Sequence, residues 1–360
     1  MSLIISLGVV LVLAIVYMVF RVGNLVGLVK GKEEKSTTWN DINAYLMLLF
    51  MVGGLALFFW YSFAHFDSYE LPVASEHGVL TDNLFWVTMW VTVIAFVIIF
   101  IAMFWFTFAY RYKEGRKVSF FVDDHKLEII WTVIPAIVLA LLIFSGLKAW
   151  NDITGPASKD AAMIELMAQQ FLWMARYPGV KDSQLGHHNY KMIDASNEFG
   201  LDLSDKNSFD DFKSLELHLP KGKEVHLKIR AKDVLHSVFL PHFRVKMDAV
   251  PGMHTTFKFT ATKSTTDMRE ETGNPNFNYE MACTEICGRG HFSMRFPVFV
   301  HDSEEDYNKW MASQEAWLKQ NPEYLQRVPA ELREAAIIKS GIPANSKEAI
   351  QATPVTVTLN

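Results

Sequence analysis

Four long stretches without any Asp, Glu, Lys or Arg lie in the N-terminal part of this 360-residue chain. Each is long enough to cross a bilayer as a helix, and their bounds are Leu3–Phe20, Ala44–Ala64, Leu84–Tyr110 and Ile129–Leu147. The first could be a signal peptide, but it lacks a basic n-region and a small-residue cleavage site, so we expect a retained helix. Pro135 is tolerated in a membrane helix whose neighbours satisfy the freed carbonyl. A purely soluble globule is therefore excluded, and a lipid membrane is an expected partner.

The loops between these stretches differ in charge, which predicts their orientation. Residues 65–83 hold no Lys or Arg but contain four acids, Asp67, Glu70, Glu76 and Asp82. The loops after the first and third stretches are basic, with Arg21, Lys30, Lys32 and Lys35 in one and Arg111, Lys113, Arg116, Lys117 and Lys126 in the other. Basic loops stay in the cytoplasm. We therefore expect the N-terminus and everything after Trp150 to lie outside, on the periplasmic side.

The composition excludes some classes of function. The chain carries 34 basic and 39 acidic side chains, with a formal net charge of -5. Phosphate binding needs clustered Lys and Arg in excess, so no nucleic-acid partner is expected. The two cysteines are too few for a disulfide framework or for an iron–sulfur cluster held by four thiolates. Their placement in the sequence is therefore informative.

After Trp150 the pattern changes to the alternation of half-buried strands. The alternating residues are Leu215, Leu217 and Leu219; Val225, Leu227 and Ile229; Phe257 and Phe259; and Phe296, Val298 and Val300. Several short strands separated by turns predict a sandwich or small barrel. An insertion at residues 181–213 is polar, so we expect a surface excursion whose acids are solvated, including Asp202, Asp205, Asp210 and Asp211. A polar helical tail is expected from Ser303 to Gln320.

Two thiols, an imidazole and a thioether fall within twelve residues, in the run from Cys283 through Cys287 and His291 to Met294. All are soft or borderline metal ligands. A disulfide would leave the imidazole and the thioether without a role, and zinc seldom recruits a thioether, so copper is favoured. Two nearby thiolates can bridge two coppers. Such a centre needs a second imidazole, which His236 could supply from a neighbouring strand.

Several motifs together resemble subunit II of haem-copper cytochrome c oxidase. They are Cys283-x-Glu285-x-Cys287-x3-His291-x2-Met294, Asp233-Val-Leu-His236-Ser, Phe243-Arg-Val-Lys246-x-Asp248-Ala-Val-Pro251-Gly252, Leu127-Glu128-Ile-Ile-Trp131-Thr-Val-Ile-Pro135, Gln170-Phe171-x-Trp173 and Arg176-Tyr177-Pro178. The resemblance extends over roughly residues 84 to 300 and implies a bacterial inner (plasma) membrane protein. The implied fold is a membrane α-helical hairpin followed by an all-β, cupredoxin-like Greek-key barrel.

This resemblance implies a binuclear copper centre, CuA, bound by the side chains of His236, Cys283, Cys287, His291 and Met294 and by the backbone carbonyl of Glu285. The Glu285 side chain would also reach a magnesium ion at the interface with subunit I. Cytochrome c, or a cytochrome c domain of a neighbouring complex, would donate electrons. They would pass to haem in subunit I, which reduces oxygen to water and pumps protons with the other oxidase subunits.

Two further roles come from the same resemblance. Glu128 would lie at the mouth of a proton path, although on charge alone it is an ordinary flanking acid. The family commonly has Trp where this chain has Phe171, as the residue through which electrons enter. Trp173 follows two residues later and would point the same way as Phe171 in a strand. Either Phe171 or Trp173 is therefore a candidate for electron entry.

The expected organisation has four parts. Residues 1–65 form two extra transmembrane helices, 84–149 the helical hairpin, 150–301 the external CuA domain with its insertion, and 302–360 a polar, partly helical tail. No Cys-x-x-Cys-His occurs in the sequence, so we expect the electron donor to be a separate protein. The rival functions are a quinol oxidase subunit, which would lack the copper ligands, a nitrous oxide reductase domain, which would be soluble, and a copper-delivery protein with mononuclear Cu(I).

Overall fold

Four long helices form the N-terminal region. The structure, a computed structural model, describes residues 2–29, 36–68, 70–113, 115–118, 120, 122–180 and 183–343. Within these ranges, four helices are long and apolar enough to cross a membrane: α1 Ser2–Val29, α2 Ser36–Ala64, α3 Glu76–Ala109 and α4 His125–Thr154. The four predicted helices are thus confirmed. Of the predicted basic loop, Lys30, Lys32 and Lys35 lie outside the described residues, as do residues 344–360 of the tail.

Helix α3 begins at Glu76, well before the charge-free stretch that predicted it from Leu84. Glu76 and Asp82, expected in a loop, are therefore helical. The reason is that lack of charge marks the part of a helix that can sit in hydrocarbon, whereas a helix that continues into water can carry acids in its first turns.

By its contacts, the chain divides into two compact units, residues 1–69 with 89–131 and residues 70–88 with 132–360. In the first unit, α2 packs on α3 through aromatic rings. Phe50 contacts Phe104 with ring centroids 5.6 Å apart. At the other contact, Arg111 pairs with Asp41 at 2.5 Å and lies over the ring of Phe108 at 4.4 Å. Helix α2 is thus attached to α3 by ring packing and an ion pair.

The described part of the second unit contains ten strands in two sheets, in the orders β3-β2-β1-β5-β8 and β4-β10-β9-β6-β7. The strands are β1 Ala162–Gln169, β2 Leu172–Tyr177, β3 Phe212–Ser214, β4 Leu217–Pro220, β5 Glu224–Ala231, β6 His236–Leu240, β7 Val245–Ala249, β8 Thr255–Thr260, β9 Tyr279–Cys283 and β10 Arg295–His301. A short helix, α5 Thr265–Thr272, precedes β9. Strand β1 runs parallel to β5, and β4 parallel to β10. One continuous apolar core includes side chains of both sheets.

The alternation in the sequence predicted four strands correctly, since Leu217 and Leu219 of β4 and the apolar residues of β5, β8 and β10 are buried. Leu215 was wrong: it precedes β4 and is 62% exposed. Strands β1 and β2 were not predicted as strands. Both are buried over nearly their whole length. A strand covered on both faces does not alternate, because neither face needs to be polar.

The insertion and the tail form a second apolar core, which we call the insertion–tail layer (residues 183–211 and 314–343). Three apolar residues of the insertion, Leu201, Leu203 and Phe209, pack with apolar residues of the tail. The tail residues are Trp317, Leu318, Tyr324, Leu325 and Val328. The tail contains α6 Glu304–Ser313, α7 Trp317–Gln320 and α8 Arg333–Ser340, which confirms its predicted helical character. The expectation of a surface excursion was wrong, because these side chains bury each other.

Beneath the insertion–tail layer lies a group of buried charges. Arg176 pairs with Glu165 and, at 2.8 Å, with Asp211. Glu165 also pairs with Arg230 at 2.5 Å. Asp211 is fully buried and Asp210 nearly so, so the expectation that these two acids are solvated was wrong. Burial raises the pKa of Asp211 to about 7, although the neighbouring Arg176 charge lowers it.

Candidate metal centre

Two strands and one loop place the sulfur and nitrogen atoms of the candidate ligands. Strand β6 begins at His236 and pairs with β9, so that Val238 lies opposite Cys283, the last residue of β9. The loop that follows returns to β10, and its two ends are joined because the Cys283 amide donates to the Met294 carbonyl at 3.1 Å. The amide of Thr284 donates to the β6 backbone at 3.1 Å. Sheet pairing therefore fixes the ends of the loop.

The donor atoms form a compact chain. The His236 Nδ1 lies 3.8 Å from Cys283 Sγ, and the two sulfurs of Cys283 and Cys287 are 4.0 Å apart. The Cys287 sulfur lies 3.7 Å from His291 Nδ1 and 3.9 Å from Met294 Sδ. Both cysteines are free, and both are buried. The ligand atoms of His236, Cys283 and Cys287 all fall within 4.8 Å of one another.

Glu285 contributes its backbone to this group. Its carbonyl oxygen lies 3.2 Å from the Cys283 sulfur and accepts a hydrogen bond from the thiol. The structure thus brings together all six residues that the sequence suggested as metal ligands. Their atoms are separated as donors around shared ions would be, and the sulfurs are too far apart for a disulfide bond.

Asp233 holds the His236 ring in one orientation. Its Oδ1 lies 2.9 Å from His236 Nε2. Burial acts to raise the pKa of Asp233, but the hydrogen bonds from His236 and from the amides of Gln170 and Val234 outweigh it, so the pKa lies below its usual value. The carboxylate is therefore charged at neutral pH and accepts from Nε2–H. This leaves the Nδ1 lone pair directed toward the Cys283 sulfur.

The surroundings of the two thiols disfavour their ionisation unless a cation is bound. Burial, and then the neighbouring Cys283, raise the pKa of Cys287 to about 11. Two thiolates in this buried place would repel one another without a cation, whereas a bound metal cation would stabilise both. With two imidazole Nδ1 atoms and a thioether beside them, the residues fit a soft metal such as copper.

The predicted pair Phe171 and Trp173 do not point the same way. Phe171 lies in the turn between β1 and β2 and is 40% exposed, whereas Trp173 lies in β2 and is fully buried. The expectation of a common face was wrong because the strand begins only after Phe171. The Trp173 ring lies 6.0 Å from the ring of His236, between centroids. Trp173 is thus in the core beside the candidate ligand His236, and Phe171 is at the surface.

Phe171 lies against the backbone of the loop between β9 and β10, residues 284–294, which we call the metal loop. A Cβ atom added at Gly290 would be 2.5 Å from the Phe171 ring, and one at Gly288 would be 2.9 Å from it. The side chain of the preceding Gln170 donates to the Cys287 carbonyl at 2.5 Å. The turn and the metal loop therefore touch over two glycines that allow the close approach.

The sequence predicted no role for Gln170 or Asp233, although both belong to motifs that carry the family resemblance. The Gln170 amide donates to Asp233 at 2.6 Å, and the Gln170 side chain bonds the loop. The signal that could have found them was their position directly beside Phe171 and three residues before His236. Gln170 and Asp233 together therefore link the His236 imidazole to the backbone of Cys287.

Glu128 belongs to the first unit, at the start of α4. Its carboxylate lies 3.1 Å from His125 Nδ1, and both side chains are exposed. Asp124 caps this helix, because its side chain accepts from the amides of Lys126 and Leu127. The sequence did not point to His125 as a neighbour of Glu128.

Two family models match the chain over most of this architecture. The model described as "Cytochrome C oxidase subunit II, periplasmic domain" matches residues 162–302, and the one described as "Cytochrome C oxidase subunit II, transmembrane domain" matches residues 59–149. Among curated relatives, the alternative cytochrome c oxidase subunit 2 of Bradyrhizobium diazoefficiens is 34% identical over 278 residues, which cover 76% of this chain and 92% of that protein.

The chain belongs to the cytochrome c oxidase subunit II family. A second relative, cytochrome c oxidase subunit 2 of Thermostichus vulcanus, is 28% identical over 270 residues, or 68% of this chain and 77% of that protein. Among solved structures, the periplasmic domain of subunit II of the Bradyrhizobium japonicum cytochrome oxidase is similar at 21% identity and a TM-score of 0.30. The match covers 44% of this chain and 96% of that one.

Membership confirms the expected architecture. A membrane-anchored helical region precedes a cupredoxin-like β domain, and the chain is a subunit of an oxidoreductase complex of the haem-copper oxidase type. The expected number of membrane helices also stands, since the described residues contain four candidate spans.

Proposed function

We propose that this chain is the electron-entry subunit of its oxidase and holds a binuclear CuA centre. The side chains of His236, Cys283, Cys287, His291 and Met294 would bind two coppers together with the carbonyl of Glu285. The observation that carries the proposal is the packing of two free, buried thiols between two Nδ1 atoms and a thioether. When bound, the copper pair would supply one-electron redox chemistry.

The residues around the thiols keep the site rigid and dry. The ends of the loop are joined by the Cys283–Met294 backbone bond, and Asp233 fixes the His236 ring. Ligands that cannot move favour electron transfer, because little rearrangement accompanies each change of charge. The Cys283, Cys287 and Met294 side chains are all buried, so little water is available to reorganise.

Electrons would come from cytochrome c, or from a cytochrome c domain of a neighbouring complex, and pass to haem in subunit I for the reduction of oxygen to water. Phe171 is the better candidate for the entry point, because it is exposed and touches the metal loop, whereas Trp173 is buried. Trp173 would instead pack the His236 ring in place. The Glu285 side chain, which is half-buried, would bind magnesium at the subunit I interface.

We place the N-terminus and the external domain on the periplasmic side of a bacterial plasma membrane, with Glu128 at the cytoplasmic end of α4 as the mouth of a proton path into subunit I. Support comes from the basic residues that follow α3, including Arg111 and Arg116. A Glu128→Ala oxidase should turn over more slowly with unchanged copper content. Undiminished turnover and proton uptake would contradict this role.

The decisive experiment is electron paramagnetic resonance of the purified full chain with copper added. One electron shared by two copper nuclei gives a hyperfine pattern with more lines than a single nucleus gives. We expect the shared pattern and two coppers per chain by metal analysis. A Cys287→Ser variant is the matched control, since a single remaining thiolate cannot form the bridged pair. A mononuclear pattern in the unaltered chain would reject the proposal.

A further inference from the structure

The outer end of α3 extends beyond what a bilayer requires. The helix has 34 residues, about 51 Å at the usual rise, against a hydrocarbon core of about 30 Å. Its charged residues, Glu76 and Asp82, are confined to the first turns. These turns belong to the same compact unit as the β domain.

Arg244 grips this end of α3. Its Nε and Nη2 donate to the two oxygens of Asp82 at 2.8 and 2.9 Å. Nη2 also donates to the Leu71 carbonyl and Nη1 to the Pro241 carbonyl, both at 2.8 Å. The backbone of Arg244 lies in the left-handed region, with φ 54°. A non-glycine residue is uncommon there. The Arg244 guanidinium makes four hydrogen bonds from this position, two of them to a carboxylate.

A backbone seam accompanies this ion pair. The Ala74 amide donates to the His242 carbonyl at 2.8 Å, and the Thr262 amide donates to the Ala74 carbonyl at 2.9 Å. The buried Ser75 hydroxyl donates to the Phe243 carbonyl at 2.7 Å. A Cβ atom at Gly78 would lie 2.5 Å from Val73, so this residue permits the tight entry into the helix. Residues 71–82 are therefore fastened to the β domain by both main chain and side chains.

An aromatic contact completes the attachment. The His77 ring, on the first turn of α3, packs edge-on against Phe257 of β8 with centroids 5.3 Å apart. Its Nε2 lies 3.4 Å from the Arg244 carbonyl. The first turns of α3 thus face the β domain with an apolar contact beside the ion pair.

Arg244 and the proposed metal ligand His236 lie at opposite ends of the β6–β7 hairpin. Arg244 directly precedes β7, where Val245 pairs with Leu240, and His236 pairs with Ala249 at the other end. Four residue steps of strand span about 13 Å. The ligand end is tied again by Ser237, whose hydroxyl donates to Asp248 at 2.7 Å. The β6–β7 hairpin is therefore a short strut from the outer end of α3 to His236.

We infer that Arg244 is a positioning residue that, with Asp82, fixes the β6–β7 hairpin and its ligand His236 to the outer end of α3. The inference rests on the proposed function, because electron transfer from the external domain to a membrane-embedded haem depends steeply on distance. A domain free to tilt on its membrane stalk would spend much of its time too far away. Sites that must hold a distance are built on rigid supports.

The test uses the full chain and the assembled oxidase with Arg244→Gln and Asp82→Asn. The second variant changes a residue of α3, outside the strands of the β domain. Hydrogen exchange of residues 71–82 should rise about tenfold or more in both variants, as expected when a hydrogen bond to a charged group is lost. Exchange in β9 and β10 should stay unchanged. Lys263→Gln, which breaks an exposed pair with Glu271, is the matched control and should leave residues 71–82 unaffected.

Two further readouts separate positioning from simple damage. The copper spectrum should be unchanged, while electron transfer from the copper pair to haem slows several-fold and oxidation of the donor does not. The charge swap Asp82→Arg with Arg244→Glu should restore part of the lost exchange protection and rate. Unchanged exchange in both single variants, or changed exchange with an unaltered transfer rate, would overturn the inference. If the chain bound no copper pair, the proposed function would fail by itself, because exchange does not depend on copper.

Discussion

Replacing Trp317 by alanine should unfold the insertion–tail layer while leaving the metal centre intact. Trp317 is fully buried in the second core, its amide donates to the Asp211 carbonyl at 2.7 Å, and its indole donates to the Ser196 carbonyl at 3.2 Å. Truncating a buried Trp costs about 3–5 kcal/mol, and the lost indole hydrogen bond adds about 1 kcal/mol. The second core is small, so it cannot absorb such a loss and stay closed.

The assay is hydrogen exchange of the full chain, read by mass spectrometry. A loss of about 3 kcal/mol corresponds to an increase of more than about 100-fold in the opening equilibrium. We expect that increase in residues 196–211 and 317–340 together, because the two segments share one core. Exchange in β6, β9 and β10 should change little, since those strands lie in the other core.

Tyr190→Ala is the matched control. It removes another large aromatic residue from the same insertion, but one that is 72% exposed, so the cost should stay within about 0.5 kcal/mol. If Trp317→Ala left residues 196–211 protected to within about threefold, the insertion would not depend on the tail. The reasoning from the shared core would then be wrong.

The remaining predictions concern the metal site and the buried charges. Phe171→Ala should slow electron uptake from a c-type cytochrome about tenfold or more with an unchanged copper spectrum, as seen by stopped-flow oxidation of the donor. Asp233→Asn should weaken copper binding about 10- to 100-fold, measured by competition with a chelator, because it loses the charged acceptor for His236. Burial raises the pKa of Asp211 to about 7, so the folded state binds its proton more tightly than the unfolded state. Stability should therefore fall as pH rises from about 4 to about 7, and Asp211→Asn should flatten that fall in thermal melts compared at each pH.

The helices and the candidate ligands could be predicted because each leaves a local signal in the sequence. A membrane span shows as a run without charge, and four side chains that could bind a soft metal stand within twelve residues, from Cys283 to Met294. The start of α3 left no such signal, because its first turns lie where charged residues are permitted. Helix formation continued through Glu76 and Asp82, and the contacts of Arg244 with this end could only be found in three dimensions.

The bridge from Asp233 to Gln170 could not be predicted for a similar reason. The two residues are 63 positions apart in the chain, and β1 and β5 must first pair before they meet. The orientation of Phe171 could not be predicted because β2 begins one residue later, at Leu172. The rule that alternate residues share a face holds only within a strand, and Phe171 lies in the preceding turn. The motif therefore drew attention to two residues beside the candidate site, but the expected orientation of Phe171 was wrong.

The second core escaped prediction because its apolar residues are few and distant. The insertion is polar by composition, yet Leu201, Leu203 and Phe209 are almost fully buried. Their partners begin at Trp317, more than a hundred residues later. Each segment alone has too little apolar surface to fold, which is why it resembles a solvated loop in the sequence. Burial became possible only when both segments covered the same face.

The position of the insertion–tail layer shows what it can and cannot do for the proposed electron relay. It covers the side of β1 and β2 that carries Glu165 and Arg176, whereas Trp173, on the opposite face of β2, packs near His236. Strand β1 stays paired with β5 over seven residues from Ala162 to Ala168, independently of this layer. Loss of the layer would therefore expose buried charges and loosen one face of the β1–β2 hairpin without moving a candidate ligand. The layer therefore acts on the stability of the domain.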